Sequence, residues 1–109
     1  MLFRSTGPQI VRAGPLDIEV VTDRSGPATL LIPPEDIIVS REPLHSSARN
    51  QYRGRVTGIS DDGRGGVTLI VDVGVDMSVR ITREALDELE IGLGTALVLS
   101  VKAMAVRVF

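Results

Sequence analysis

The stretch "VTLIVDVGVDMSVRITREALDELEIG", residues 67–92, decides the fold, because two strand patterns and one helix pattern follow each other in it. In residues 67–73 an apolar residue occupies every second position, and residues 77–81 show the same period of two. This alternation is typical of strands that bury one face and expose the other. We therefore predict two half-buried strands that are followed by a helix.

The helix pattern is "TREALDELEIG", residues 82–92. Thr82 is a favoured N-cap residue, and Glu84 places a carboxylate in the first turn, where the helix dipole stabilises a negative charge. We expect Gly92 to end the helix in a left-handed backbone conformation. The apolar residues form only a narrow stripe, so we expect a short helix that packs on the end of a barrel.

Further strand patterns flank this stretch on both sides. "LDIEVV" at residues 16–21 and "LVLSV" at residues 97–101 also read as alternating strands. Val106 and Val108, however, fall on the opposite parity from the apolar positions of residues 97–101. We therefore expect a β-bulge, with one extra residue, within residues 102–105.

A proline-rich connector indicates how the chain is divided. In "IPPEDIIVSREPLHSSARN", residues 32–50, three prolines bracket a short apolar run. Proline lacks a backbone N–H and favours turns and extended connectors over the interior of a ladder. We therefore predict a partial β lobe in residues 1–40 and a second, larger domain in residues 41–109.

Composition and charge exclude several classes of function. The net charge of −2 provides no basic field for wrapping nucleic acid. The chain has no cysteine and a single histidine, His45, so we expect no disulfide, no cysteine nucleophile and no metal site of its own. The apolar runs are too short to span a bilayer, and the N-terminus lacks the apolar core of a signal peptide. We expect a cytoplasmic protein, and no nucleophile with an adjacent base marks it as an enzyme.

The segment "SSARNQYRGRV", residues 46–56, concentrates hydrogen-bond donors at the entrance of a strand. Serine hydroxyls and the asparagine amide are neutral donors, whereas arginine adds positive charge. An oxyanion that carries no donor of its own needs only such groups. An ordinary turn with a solvated arginine is the alternative interpretation.

Together with two later segments, residues 46–56 resemble a known family. "VDVG" at residues 71–74 and "ITREALDELEIGLGTALVLSVKAMAVRVF" at residues 81–109 follow in the order found in the Mop, or TOBE, domain of molybdate- and tungstate-binding proteins. This resemblance implies an all-β fold, an OB-like β-barrel with one short helix. The smaller lobe would precede this barrel.

A second resemblance concerns residues 29–44, "TLLIPPEDIIVSREPL". They are similar to the segment before that domain in the ATPases of ABC importers for molybdate or tungstate, although Pro33 stands where arginine is more usual. The glycine-rich phosphate loop of such ATPases does not occur in the chain, so we expect no nucleotide site.

The resemblance also implies a ligand site at or near contacts between subunits, with molybdate or tungstate as the ligand. In the family, the Ser-Ala-Arg-Asn segment, the threonine before the helix and the lysine of the last strand hold a tetrahedral oxyanion. The corresponding residues in this chain are Ser47, Ala48, Arg49, Asn50, Thr82, Lys102 and Ala103. Ala103 lacks the hydroxyl that often follows the lysine, so only its backbone N–H could contribute.

Each candidate also has a plainer interpretation. Capping alone explains Thr82, and Lys102 fits a solvent-facing residue that protects an edge strand. Arg53 and Arg55 share one strand face and are typical of a solvated stripe, so we leave them out of the site. The glycine-rich "DDGRGG" at residues 61–66 opens no helix and therefore predicts a hairpin turn rather than a phosphate loop.

Three classes of function remain at this point. The first is binding of cytoplasmic molybdate or tungstate, either as the regulatory C-terminal domain of an ABC importer ATPase or as a free-standing storage protein. The second is a non-liganding OB-like interaction domain, and the third is an OB-fold that binds single-stranded nucleic acid. Base stacking needs aromatic residues, and this chain has only Tyr52, Phe3 and Phe109, so we expect no nucleic-acid partner.

The expected partners follow from the first class. We expect a homo-oligomer of two or more subunits, with the oxyanion sites near the subunit interfaces. In an importer, an ABC ATPase domain and a membrane permease would be further partners. No direct insertion into the membrane is expected.

Overall fold

The computed structural model describes residues 7–23 and 26–109, and within these residues the chain forms nine β-strands, one α-helix and two 3₁₀ turns. The strands are β1 (Gly7–Ala13), β2 (Leu16–Thr22), β3 (Leu30–Leu31), β4 (Ile38–Ser40), β5 (Asn50–Asp61), β6 (Gly66–Asp72), β7 (Asp76–Thr82), β8 (Ala96–Val101) and β9 (Arg107–Val108). The helix α1 spans Arg83–Glu88, and the 3₁₀ turns span Pro34–Asp36 and Ala103–Ala105.

A five-stranded antiparallel sheet forms the centre of the fold. Its strand order is β4-β8-β5-β6-β7, and it curls into a half-barrel. The register between β5 and β6 shifts between Val56 and Gly58. Because such a bulge bends a strand and increases its twist, it contributes to the curl of the sheet. The predicted all-β, OB-like fold with one short helix is confirmed.

The two strands predicted from the period of two are β6 and β7. Val67, Leu69 and Val71 of β6 and Val79 of β7 are fully buried. Burying a side chain of this kind stabilises the fold by about 1.5–3 kcal/mol, so this alternation fixes which face of the sheet points inward. Residues 61–66 form the hairpin turn between β5 and β6, as predicted.

Two short ladders flank the central sheet. β1 and β2 form an antiparallel hairpin, and β3 pairs with β9. Leu16, Ile18 and Val20 on the inner face of β2 belong to the same buried cluster as the central sheet. Segments from both predicted domains therefore share a core, while the division at residues 1–40 and 41–109 stays a prediction.

Some residues of the predicted first lobe are outside this description. Residues 1–6, which include Phe3, and residues 24–25 lie outside the described part of the chain. The described part of the first lobe contains four strands, β1 to β4.

The helix α1 ends earlier than predicted. Glu90 adopts the left-handed conformation with φ 53°. The N–H groups of Glu90 and Ile91 donate to the C=O groups of Asp87 at 3.1 Å and Leu86 at 3.0 Å, which is a Schellman motif. The prediction that Gly92 ends the helix is wrong. Since Ile91 and Leu86 both belong to the buried cluster, the apolar contact across the motif turns the chain before the glycine.

The parity change near the end of the chain has a different cause from the predicted bulge. A bulge needs a partner strand, but Val101 at the end of β8 pairs with Asn50, which is the first residue of β5. Beyond this pair the chain leaves the sheet and forms the 3₁₀ turn Ala103–Ala105. The bulge predicted within residues 102–105 is therefore wrong, and the turn is what directs Val106 into the core.

Candidate oxyanion site

The loop before β5 and the turn after β8 lie side by side. The two strands are antiparallel, and Asn50 at the start of β5 pairs with Val101 at the end of β8. Residues 46–49 and 102–104 therefore leave the sheet at the same place. Segments that are distant in the sequence meet here because of the strand register.

A cavity of about 280 Å³ lies between these two segments and β2. Four of the seven predicted site residues line it, and three residues that were not predicted complete the lining. The predicted ones are Ser47, Arg49, Lys102 and Ala103, and the others are Glu19, Val21 and Met104. The cavity thus combines two cationic side chains, a hydroxyl and the backbone of a turn.

Free donors and unpaired positive charges characterise this cavity. The N–H groups of Ala103 and Met104 have no acceptor among the described residues, as is usual for the first donors of a helical turn. Arg49 and Lys102 form no ion pair with any residue in the described ranges. Lys102 does not protect an edge strand, since β8 lies between β4 and β5. That plainer interpretation is wrong.

Asn50 has a structural task that was not predicted. Its side chain is only 4% exposed and binds the backbone of Glu19 twice. Nδ2 donates to the C=O of Glu19 at 2.8 Å, and Oδ1 accepts the N–H of Glu19 at 2.7 Å. The amide thus takes the place of a β-bridge and ties β2 to β5.

Tyr52 supports the same contact between β2 and β5. Its hydroxyl donates to the C=O of Asp17 at 2.9 Å and lies 3.2 Å from Oδ1 of Asn50. Burial of the phenol, and then the negative charge of Asp17, raise the pKa of Tyr52 to about 12. The neutral form is therefore the one that holds the strands together.

Ala48 does not line the cavity and offers no free donor. Its side chain is buried, and its N–H donates to Oγ of Ser46 at 3.1 Å. This bond tightens the loop before β5, and it leaves Ser47 and Arg49 exposed on either side of the buried alanine. The role of Ala48 in the structure is to shape the loop.

Glu19 is the residue of this cavity that the sequence interpretation missed. Because Asn50 holds both backbone groups of Glu19, the carboxylate leaves β2 at the cavity that Arg49 and Lys102 also line. It also lines a neighbouring cavity of about 340 Å³ together with Arg49 and Asn50. The alternation of "LDIEVV" places Glu19 on the outer face of β2, but the sequence carries no signal for what that face meets.

Thr82 lies at the other end of the sheet. It pairs with Gly66 at the start of β6, whereas the cavity lies beside the first residue of β5, a strand roughly 40 Å long at about 3.3 Å per residue. Its Oγ1 accepts the N–H of Ala85 at 3.1 Å and caps α1, as predicted. Within one chain the structure does not bring Thr82 together with Ser47 or Lys102.

The arginines beside Thr82 are neutralised by the turn between β5 and β6. Arg80 pairs with Asp62, and Arg83 pairs with Asp61. Hydrogen bonds from backbone N–H groups of the turn, and then from these two arginines, hold the pKa of both carboxyl groups below the ordinary value. This end of the sheet therefore carries little unpaired positive charge.

Two features are absent from residues 7–23 and 26–109. No helix there is long and apolar enough to cross a membrane. No group of three or more histidine, aspartate or glutamate side chains is placed to hold a metal ion there.

The protein is a small domain with an OB-like fold. A sequence profile of the TOBE domain matches residues 46–108. The chain belongs to the TOBE domain family.

Two relatives extend the similarity beyond this domain. The molybdate/tungstate import ATP-binding protein WtpC of Pyrococcus abyssi is 35% identical over 100 residues, which are 92% of this chain and 29% of that protein. WtpC of Pyrococcus horikoshii is 38% identical over 102 residues, or 93% of this chain and 29% of that protein. The chain thus spans less than a third of the length of these relatives and corresponds to their C-terminal part.

A solved structure shares the fold. The cytoplasmic molybdate-binding protein ModG, crystallised with molybdate bound, superimposes with a TM-score of 0.76 over 84% of this chain and 74% of that chain. The two sequences are 17% identical over this region. The likeness supports the assignment of the fold.

Proposed function

We propose that this chain binds molybdate or tungstate in the cavity lined by Ser47, Arg49 and Lys102. The observation that carries the proposal is the meeting of two unpaired cations with the free N–H groups of Ala103 and Met104 in one cavity. An oxyanion without protons accepts hydrogen bonds only, so it can satisfy all these donors at once. Hydrogen bonds with charged partners are roughly twice as strong as neutral ones.

The remaining predicted residues have supporting roles in this proposal. Ala48 shapes the loop, and Asn50, which lines the neighbouring cavity, holds β2 in place. Glu19 is a like charge to the ligand, so the anion binds on the side of Lys102 and the 3₁₀ turn. Because the positive charge is local, a chain with a net charge of −2 can still bind an anion.

Thr82 enters the proposal through a second copy of the chain. One strongly exposed apolar residue lines each of the two cavities, namely Met104, which is 84% exposed, and Ile10, which is 73% exposed. Exposed apolar surface of this kind is typical of protein contacts. We propose that a homo-oligomer covers this surface and brings Thr82 of one copy towards Lys102 of another.

The relatives support a regulatory role in the cytoplasm. WtpC is named as an ATP-binding protein for molybdate and tungstate import, and we propose that this chain is the corresponding regulatory part, with an ATPase domain and a permease as partners. The anion would stabilise one arrangement of paired domains, which requires a higher affinity for that arrangement than for the other. Binding without catalysis is the role, and a free-standing storage protein is the alternative.

Titration calorimetry with molybdate, tungstate, sulfate and phosphate tests the proposal on the purified chain. We expect molybdate and tungstate to bind at least about 10-fold more tightly than the other two, a difference of about 1.4 kcal/mol. Fewer than one anion per chain would place the sites between subunits. If neither heat nor thermal stabilisation appears with any anion, the proposal fails and the chain is better described as an interaction domain.

A further inference from the structure

A third cavity, of about 310 Å³, is separate from the candidate oxyanion site. Three arginines surround it, and small or apolar residues at the start of β8 form the rest of its wall. The lining residues are Arg41, Arg53, Gly54, Arg55, Ala96, Leu97 and Val98. None of them lines the cavity beside Lys102.

The three arginines converge because of the strand order. Arg53 and Arg55 are two residues apart on one face of β5, which spaces them by about 7 Å, and they pair with Val98 and Ala96 of β8. Arg41 directly follows β4, which pairs with the other side of β8. The three arginines therefore line one cavity from both neighbours of β8.

No carboxylate neutralises this cluster within the described residues. Arg41 and Arg53 make no ion pair and no side-chain hydrogen bond there. Nη1 of Arg55 donates to the uncharged C=O of Gly94 at 3.0 Å. Asp72 lies opposite Arg55 in the ladder and accepts the backbone N–H of Gly74 at 2.9 Å, and it forms no ion pair with Arg55. Like charges that converge repel each other, so an anion in the cavity would relieve an unfavourable arrangement.

We propose that this cavity is a second anion site, which takes a chain of two or three phosphate groups. The guanidinium group presents paired N–H donors that bind one phosphate bidentately. Two such groups spaced by about 7 Å along a strand can engage successive phosphates, whereas a single tetrahedral anion engages one of them well. No aromatic residue lines the cavity, so a nucleobase would find no stacking partner. The phosphate chain itself is what the site recognises.

Calorimetry with pyrophosphate, tripolyphosphate and ADP tests this proposal on the full chain, with and without saturating molybdate. We expect about one pyrophosphate per chain in both conditions, with an affinity that falls as salt is added. The double variant R41M/R53M keeps the aliphatic stems and the bond from Arg55 to Gly94. It should weaken pyrophosphate binding at least 10-fold, while R64M, which removes an exposed arginine from the β5–β6 turn, should leave binding unchanged.

The outcomes separate this site from the proposed oxyanion site. Equal affinity for pyrophosphate and ADP would support recognition of the phosphate chain, whereas clearly tighter binding of ADP would contradict it. R41M/R53M should bind molybdate as the wild type does, and K102M should bind pyrophosphate as the wild type does. Absence of pyrophosphate binding at low salt, an equal loss in R64M, or binding that molybdate abolishes would overturn the proposal.

Discussion

The two ends of β5 carry positive charge in opposite ways. At its first residue, Arg49 and Lys102 face a cavity and have no ion-pair partner among the described residues. At its last residue, Arg80 and Arg83 are paired with Asp62 and Asp61 of the adjoining turn. The same strand therefore connects an uncompensated cluster with a compensated one.

This difference in charge pairing suggests that the two ends of β5 have different roles, one in ligand binding and one in stabilising the fold. Paired surface charges add little to stability, but they hold the hairpin turn against the start of α1 and leave no field for an anion. Unpaired cations beside free N–H groups can form charge-assisted hydrogen bonds with an anion. We therefore place anion binding at the first end and a purely structural role for the arginines at the second.

The largest expected effect comes from Lys102→Met, which removes the charge and keeps most of the aliphatic stem. A hydrogen bond to a charged group contributes about 1.5–3 kcal/mol, so molybdate affinity should fall about 10- to 150-fold in calorimetry, with an unchanged melting temperature of the free chain. Arg83→Met at the paired end is the control and should bind within about twofold of the wild type. Equal losses in the two variants would contradict the contrast between the ends.

Asn50→Ala should have the largest effect on stability at the cavity end. It leaves the N–H and C=O of Glu19 without partners, and each unsatisfied buried group costs about 1–3 kcal/mol. Urea denaturation should show this loss. Gln51→Ala removes only a more exposed bond to the C=O of Leu44 and should cost less. Equal stability of the two variants would mean that the link between β2 and β5 is unimportant.

Two substitutions of Thr82 separate capping from ligand binding. Thr82→Val removes the N-cap and should destabilise the protein by about 1 kcal/mol in denaturant titration. Thr82→Asp keeps a good N-cap but adds a negative charge, so it should retain stability and lose molybdate affinity if a second copy contributes this residue. Wild-type affinity of an oligomeric Thr82→Asp protein would remove Thr82 from the site.

The stability contributed at the first end of β5 should be lost at alkaline pH, and that at the last end should be lost at acidic pH. These are the smallest effects that we expect. The raised pKa of Tyr52 means that its contribution is complete below pH 10 and is lost as the pH rises to about 12. Tyr52→Phe should lack this alkaline loss when urea midpoints are compared across that range. At neutral pH it should be less stable by about 0.5–1.5 kcal/mol.

Asp61 and Asp62 at the last end of β5 should cause a loss of stability at acidic pH. Their lowered pKa values mean that they stabilise the fold above their ordinary pKa and that this contribution disappears as the pH falls through the lowered values. Asp61→Asn should reduce the acid-induced loss and leave the alkaline loss unchanged. An unaltered acid transition in this variant would indicate that the pair with Arg83 does not stabilise the turn.

Local patterns predicted the parts of the molecule that local physics controls. The period of two identified β6 and β7, and the capping preference of threonine identified the start of α1 at Thr82. The end of α1 was missed because burial of Ile91 selected Glu90 rather than Gly92 for the left-handed position. Such a choice depends on the core, which no short segment encodes.

The residues of the candidate site that the family resemblance indicated could be predicted from the sequence. The residues that reach a cavity only through the pairing of distant strands could not. Ser47, Arg49 and Lys102 line one cavity, as a shared site requires. Glu19 was missed because a side-chain bond from Asn50, rather than a strand pattern, attaches β2 to β5. Arg41 lines the 310 Å³ cavity of the proposed second anion site only because β4 pairs with β8. The stripe of arginines on β5 alone therefore did not indicate this cavity.

A ¹⁵N-resolved NMR titration with molybdate tests the contrast between the two ends most directly, because it reports every backbone N–H at once. We predict that the amide signals of Ala103 and Met104 shift most and saturate with the calorimetric affinity. Amides of the paired end at Asp61 and Asp62 should stay in place. Unmoved signals of Ala103 and Met104 at saturating molybdate, or larger shifts at the paired end, would contradict the assignment of the anion site to the first end of β5.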